Sequence, residues 1–143
     1  MISLSLRCKP EAQKRVKVFN RIAVDPSKEY KNFLKLQILE QYQDKPIEDP
    51  IIVSLAFAMP IPSSTSKKRK QAMLDGSIQH TKKPDLDNLA KAVLDAMNKT
   101  IIKDDSQIYS LNIQKYYDEN PGIGIIILRE GENEKENKST KES

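Results

Sequence analysis

The sequence predicts an α+β domain in which about five β-strands form a mixed sheet packed with three helices. Several segments alternate apolar and polar residues, which is the two-residue period of a half-buried strand. Other segments repeat apolar residues every three or four positions, as an amphipathic helix does. The chain has 143 residues, which is long enough for one sizeable core, and it contains no internal repeat.

The predicted strands are identified from this alternation. Residues 2–6 and 108–117 alternate apolar and polar side chains. Residues 51–59 carry large apolar residues with smaller ones between them, which predicts a central strand with a helix packed on its small-residue face. Residues 16–22, which have basic flanks, and residues 123–128, which are apolar on both faces, complete the predicted sheet.

The first two helices are predicted from their ends. Asp25 followed by Pro26 is typical of a helix start, and this helix extends to about Gln43. Its predicted inner face consists of Tyr30, Phe33, Leu34, Ile38 and Tyr42. Residues 63–74 predict a second helix, which is basic and ends before Gly76.

The third helix has the most distinctive pattern. Pro84 favours extended backbone before the helix, and Asp85 is placed to cap the first turn. The predicted buried face consists of Leu86, Leu89, Ala90, Val93, Leu94 and Met97. The other side carries Asp87, Asn88, Lys91 and Asp95.

The carboxylates at this helix predict a cation site. Asp85 and Asp87 belong to the helix start, while Asp104 and Asp105 precede the strand at residues 108–117. If that strand runs beside the helix, the first two aspartates and one of the later pair can share a hard cation. Mg²⁺ is typically held by one or two carboxylates, several waters and substrate phosphate oxygens. The alternative interpretation is structural, with these groups acting as caps, an exposed Asp–Lys pair and a turn.

A basic segment precedes the third helix. The formal net charge of the chain is +4, and residues 63–84 contain six Lys or Arg residues and one Asp. Clustered basic residues are typical of a polyanion-binding surface. We therefore predict DNA contacts from Lys67, Lys68, Arg69, Lys70, Lys82 and Lys83. A solvated basic helix and loop is the alternative.

The cysteine and histidine content excludes several classes of protein. A single cysteine, Cys8, allows no internal disulfide and favours a reducing cytoplasm. A single histidine, His80, excludes a multi-histidine zinc site. No signal peptide or membrane-spanning run is recognisable, so we expect a soluble cytoplasmic protein with no membrane partner. Residues 130–143 have almost no apolar content, which predicts a disordered charged tail after a domain of residues 1–129.

The motifs, taken in order, resemble the RusA family of Holliday junction resolvases, which are Mg²⁺-dependent endonucleases often found in prophages. The resemblance covers about residues 2–129 and is carried mainly by residues 80–91, 94–98 and 103–108. Residues 16–30, the segment 59–63 with the lysines that follow it, and Lys115 also match.

The resemblance implies an endodeoxyribonuclease that resolves four-way junctions by paired symmetric nicks in DNA recombination and repair. Asp85 and Asp87 match the two aspartates of the Asp-x-Asp-Asn signature, and Lys91 matches the catalytic lysine. Asp105 matches the third essential aspartate, with Asp104 as the alternative because the preceding connection is slightly short. The three aspartates are the implied ligands of Mg²⁺, for which Mn²⁺ can substitute. The family also implies a C2 homodimer, whose two sites suit a nearly two-fold symmetric junction.

Three other functions remain open from the sequence. A non-catalytic DNA-binding accessory protein of phage replication would keep the basic surface and use the carboxylates only as caps and ion pairs. A nuclease for other branched DNA would use the same site on a different substrate. A purely structural protein would bind no DNA.

Overall fold

The computed structural model describes residues 1–130. The predicted tail at residues 130–143 lies outside this part of the chain except for its first residue. In chain order the elements are β1 (Ile2–Arg7), β2 (Lys17–Phe19), β3 (Ile22–Val24), α1 (Lys28–Gln41), β4 (Ile51–Met59), α2 (Lys67–Leu74), α3 (Leu86–Met97), a 3₁₀ turn (Asp105–Gln107), β5 (Ile108–Tyr117) and β6 (Gly122–Arg129).

Four strands form one mixed sheet in the order β1-β6-β4-β5. β6 pairs antiparallel with both β1 and β4, whereas β4 and β5 run parallel. Strand β5 therefore forms one edge of this sheet, and β4 is central as predicted. The α+β class and the three helices are confirmed.

The core lies between one face of the sheet and helices α1 and α3. Leu55 and Phe57 of β4 are buried there with Leu34 of α1 and Val93 of α3. The prediction that a helix packs on the small-residue face of β4 is wrong. Both helices cover the large-residue face, because burying larger side chains removes more apolar area from water. The opposite face carries Ser54 and similar small residues and lines an open pocket of about 520 Å³.

The predicted single strand at residues 16–22 is a hairpin of two short strands, β2 and β3. These strands form a separate two-stranded sheet. The chain reverses at Asn20 and Arg21, which both have positive φ angles, of 47° and 66°. Two consecutive residues with positive φ are typical of a tight type I′ hairpin turn.

Helix α1 starts later than predicted, at Lys28 after the N-cap residue Ser27. The carboxylate of Asp25 instead accepts a hydrogen bond of 2.9 Å from the Ser27 N–H, which fixes the turn before the helix. Phe33 is not on the inner face: it is 49% exposed, and its neighbour Leu34 occupies the core position. Helix α2 likewise begins only at Lys67, with Ser66 as its N-cap.

Within residues 1–130, no helix has the length and apolar character needed to cross a membrane.

Candidate functional site

The start of α3 presents two exposed carboxylates. Asp85 is the N-cap residue, as predicted, but its side chain makes no capping hydrogen bond. Its backbone carbonyl accepts the first helical hydrogen bond, 3.1 Å from the Leu89 N–H. Asp87 lies in the first turn and is also exposed. Both carboxylates therefore face solvent at the positive end of the helix dipole, which favours negative charge.

Lys91 lies on the same side of α3 as Asp87, because residues four apart are neighbours on a helix surface. A pocket of about 420 Å³ is lined there by Gln13, Lys14, Arg15, Asn88 and Lys91. The backbone N–H of Gln13 donates a 3.0 Å hydrogen bond to the carbonyl of Asn88, which holds the N-terminal segment against the helix. Three basic side chains thus surround one concave surface that also includes Asn88, the residue after Asp87.

The loop that precedes α3 is held by Lys115 of β5. The Lys115 ammonium group donates hydrogen bonds to the carbonyl oxygens of Lys82 at 2.7 Å and Pro84 at 2.9 Å. The peptide between Lys83 and Pro84 is cis. Lys115 is half-buried and pairs in register with the buried Phe57 of β4. Its contacts fix the backbone immediately before Asp85.

His80 lies in the same loop and packs on Tyr117 of β5, with ring centroids 4.9 Å apart. Burial lowers the pKa of His80, and the charges of Lys115 and Lys82 lower it further. The Nδ1 atom is buried and has no hydrogen-bond partner among residues 1–130. These contacts favour a neutral, structural imidazole.

Asp104 and Asp105 lie at the other end of α3. Residues 98–102 fold back on the helix C-terminus, where the Ile102 N–H contacts the Met97 carbonyl at 3.3 Å. The twelve residues of α3 span about 18 Å. The path along β5 from Ile108 to Lys115 covers about 23 Å. The later aspartates are therefore far from Asp85 within one chain.

The two later aspartates have different surroundings. Asp104 caps the 3₁₀ turn: its carboxylate accepts a 3.1 Å hydrogen bond from the Ser106 N–H, and its own N–H donates to Gln107 Oε1 at 3.0 Å. The hydrogen bonds from the Ser106 side chain and backbone lower the pKa of Asp104. Asp105 is exposed in the turn itself. Asp105 therefore has the carboxylate that is free to bind a ligand.

One chain brings together only part of the predicted set. Asp85, Asp87 and Lys91 share the first half of α3, whereas Asp105 is apart from them. Among residues 1–130 of a single chain, no three His, Cys, Asp or Glu side chains are grouped so as to hold a metal ion. The chemistry of the paired carboxylates nevertheless fits a hard cation, since neither is used for helix capping and oxygen ligands suit Mg²⁺.

The predicted DNA-contacting basic residues lie on α2 and in the loop before α3. Lys67, Lys68 and Arg69 are exposed in the first turn of α2, and Lys82 and Lys83 are exposed in the loop before α3. Lys70 differs, because its ammonium group forms a 3.0 Å ion pair with Glu119.

Asp95 has a structural role, in agreement with its position on α3. Its carboxylate pairs with Lys31 of α1 at 3.3 Å. Burial opposes the charge on Lys31, but its bonds to Asp25 and Asp95 outweigh this and raise its pKa. Asp95 therefore links the two core helices.

Lys14 and Arg15 were not among the site residues predicted from the sequence. The contact made by Lys115 was not predicted either. Lys14 and Arg15 are part of the basic flank of residues 16–22. Lys115 has a recognisable signal: it is a charged residue on the inward, otherwise apolar face of β5.

Comparison with known proteins shows similarity to a family and to a bacterial relative. The family model described as endodeoxyribonuclease RusA matches residues 7–128. The uncharacterised protein YqaN of Bacillus subtilis (strain 168) is 36% identical over 103 residues, which are 71% of this chain and 72% of that protein.

Proposed function

Because this chain belongs to the RusA endodeoxyribonuclease family, we propose that it resolves four-way DNA junctions by paired symmetric nicks in a Mg²⁺-dependent reaction. Its place would then be in DNA recombination and repair. The observation that carries the proposal is the exposed group of Asp85, Asp87 and Lys91 on one helix beside a basic pocket. These carboxylates make no capping hydrogen bonds, so helix stability alone does not explain their position next to concentrated positive charge.

Asp85, Asp87 and Asp105 are the proposed metal ligands. Mg²⁺, or Mn²⁺ in its place, supplies polarisation of the scissile phosphate and a bound water of lowered pKa. Lys91 is the proposed catalytic lysine, which stabilises negative charge that develops on the phosphate. Lys115 keeps the loop before Asp85 in place, so that the two helix carboxylates keep their spacing.

A second copy of the chain is proposed to supply the missing aspartate. Asp85 and Asp105 lie at opposite ends of α3, so two α3 helices that run antiparallel across a two-fold axis bring each Asp85 towards the partner's Asp105. A C2 dimer of this kind contains two equal sites. Two equal sites match the two symmetric nicks that junction resolution needs.

The basic residues of α2 and of the loop before α3 are proposed to bind the DNA backbone. The loop residues Lys82 and Lys83 immediately precede the catalytic carboxylates in the chain. Contacts with phosphate fix position and orientation, while junction shape provides selectivity. The proposed set is Lys67, Lys68, Arg69, Lys70, Lys82 and Lys83, of which Lys70 is the least available because of its ion pair with Glu119.

The test is cleavage of a labelled synthetic four-way junction with Mg²⁺, by the wild type and by Asp87→Asn. Linear duplex and a flapped duplex are the control substrates. We expect symmetric paired nicks by the wild type alone, with the variant still binding the junction. Equal cleavage of the flap would favour a nuclease for other branched DNA. Binding without cleavage by either protein, across several divalent metals, would favour the accessory-protein function, and no DNA binding at low salt would favour a structural protein.

A further inference from the structure

The β2–β3 hairpin carries apolar side chains that the described part of the chain leaves uncovered. Val18 is 70% exposed, Phe19 66% and Ile22 65%. Every residue of both strands is exposed, and within residues 1–130 the two strands pair only with each other. A two-stranded ribbon of this kind is at best marginally stable in water, so an exposed apolar one indicates a binding surface.

The apolar residues lie on both faces of the hairpin. In the antiparallel register, Phe19 is opposite Ile22, and Val18 is opposite Ala23. Paired residues point to the same face, and successive residues point to opposite faces. One face therefore presents Phe19 and Ile22, and the other presents Val18 and Ala23. A surface that docks flat on a protein needs only one apolar face, whereas a ribbon that is apolar on both faces fits between two apolar planes.

The charge of the hairpin identifies the kind of partner. Residues 12–24 contain Lys14, Arg15, Lys17 and Arg21 and no acidic residue. Two acidic residues adjoin this range: Glu11, which is exposed, and Asp25, which is bonded to Lys31. In a nucleic acid, the apolar planes of the base pairs are bordered by negatively charged phosphates. Proteins insert Phe, Ile and similar side chains between base steps.

The base of the hairpin is attached to the candidate site. The Lys14 N–H donates a 2.9 Å hydrogen bond to Ser27 Oγ, and the Gln13 N–H donates to Asn88 of α3. Lys14 and Arg15 then line the pocket that also contains Lys91. The pocket lining therefore adjoins the start of the hairpin at Lys17 in the chain.

We propose that the β2–β3 hairpin is a branch-point wedge, in which Phe19 and Ile22 insert between base pairs at the centre of branched DNA while Lys14 and Arg15 hold the adjoining backbone. The wedge rests on the proposed function, since it acts on the substrate of the same site. The wedge makes the protein bind branched DNA in preference to linear DNA. The open centre of a junction exposes base planes, whereas a continuous duplex must be unstacked at a cost of free energy.

The experiment uses a four-way junction with 2-aminopurine at the branch point, whose fluorescence rises when the base is unstacked. All proteins carry Asp87→Asn to prevent cleavage. Adding Phe19→Ser should remove most of the fluorescence rise and weaken junction binding about tenfold, which is the size expected when one base no longer stacks on an aromatic ring. Binding to linear duplex should change by less than about twofold, because the phosphate contacts remain.

The matched control is Leu36→Ser, which replaces a 63% exposed apolar residue on α1. It should leave the fluorescence rise and the junction affinity unchanged. An unaltered fluorescence rise with Phe19→Ser would overturn the wedge, as would an equal loss of affinity for junction and duplex. The oligomeric state of each variant is measured by sedimentation. If Phe19→Ser converts a dimer to a monomer, the hairpin is an interface between copies of this chain, and the proposal is overturned. Failure of the wild type to nick the junction would instead contradict the proposed function, so the two failures are distinguishable.

Discussion

The ammonium group of Lys115 lies 2.9 Å from the carbonyl oxygen of Pro84, to which it donates a hydrogen bond. A second bond from the same group reaches the carbonyl of Lys82 at 2.7 Å. Edge strand β5 thereby fixes the loop that leads into α3, and the carboxylates lie at the start of this helix. The position of Asp85 depends on a residue thirty positions later in the chain.

Replacing Lys115 with Met should lower junction cleavage about tenfold or more, because small displacements of catalytic groups are costly. The methionine keeps the apolar stem within the sheet, so the fold should persist. The measurement is kcat on the labelled junction, together with the far-UV circular dichroism spectrum. The control is Lys35→Met, which should retain activity. Lys35 is also half-buried, but it lies on α1. Unchanged kcat for Lys115→Met would mean that the loop holds its position without these two bonds.

The two later aspartates should respond differently to substitution. Asp105→Asn should lower kcat about 100-fold or more, as expected when a group that stabilises the transition state is removed. Asp104→Asn should keep most of the activity, because Asn is also a good cap residue. The reverse ranking of the two kcat values would show that Asp104 is the ligand.

The lowered pKa of Asp104 also predicts a pH dependence. A carboxyl group whose pKa is depressed below 3.8 on folding contributes stability above that pH and loses it as the pH falls through the folded-state value. The difference in melting temperature between wild type and Asp104→Asn should therefore shrink as the pH is lowered from 6 to 3. A constant difference would exclude the charge as its source.

The segments with simple periodicity were predictable from the sequence. Strand β5 was predicted with the observed bounds, because residues 109–114 alternate apolar and polar side chains. Helix α3 begins at the predicted residue, since Pro84 and Asp85 define its start. The start of α1 was missed because Asp25 bonds to Ser27 outside the helix, which is a local alternative to capping. Phe33 was misplaced because helical spacing puts both Phe33 and Leu34 on the inner face, whereas only Leu34 is buried in the core.

The division of the candidate site was not predictable in the same way. The sequence places Asp105 eighteen positions after Asp87, which is compatible with proximity or separation. Asp105 and Asp87 are separated because of the topology. The chain enters β5 near the C-terminus of α3, and the strand does not reach the level of Pro84 until Lys115. This arrangement depends on long-range packing rather than on local pattern.

Neutralising the first turn of α2 should reduce the salt dependence of DNA binding. The triple variant with Lys67, Lys68 and Arg69 replaced by Gln should lower the slope of log Kd against log salt by about one unit for each phosphate that the protein no longer neutralises. The slope is measured by fluorescence anisotropy with a labelled junction at several salt concentrations. Lys35→Gln on α1 is the control. An unchanged slope in the triple variant would remove α2 from the DNA surface.

Cys8 should be a slowly reacting thiol. Burial raises its pKa from 9.0 to about 11, with Glu11 adding to the rise and a hydrogen bond with Tyr30 opposing it. At pH 8 its thiolate fraction is then roughly one-hundredth of that of an ordinary thiol. Mass spectrometry should show slow alkylation by iodoacetamide in the native protein and rapid alkylation in urea. Equal rates in the two states would contradict the raised pKa.

We propose that each site combines Asp87 of one chain with Asp105 of the other. The most direct test co-expresses Asp87→Asn and Asp105→Asn chains with different tags and purifies the mixed dimer. Each variant alone has two defective sites, whereas the mixed dimer has one intact site if the aspartates come from different chains. The substrate is a plasmid that extrudes a cruciform, which paired nicks convert to linear DNA and a single nick converts to an open circle. We expect open circles from the mixed dimer and no product from either variant alone. No product from a verified mixed dimer would contradict it and place both aspartates in one chain.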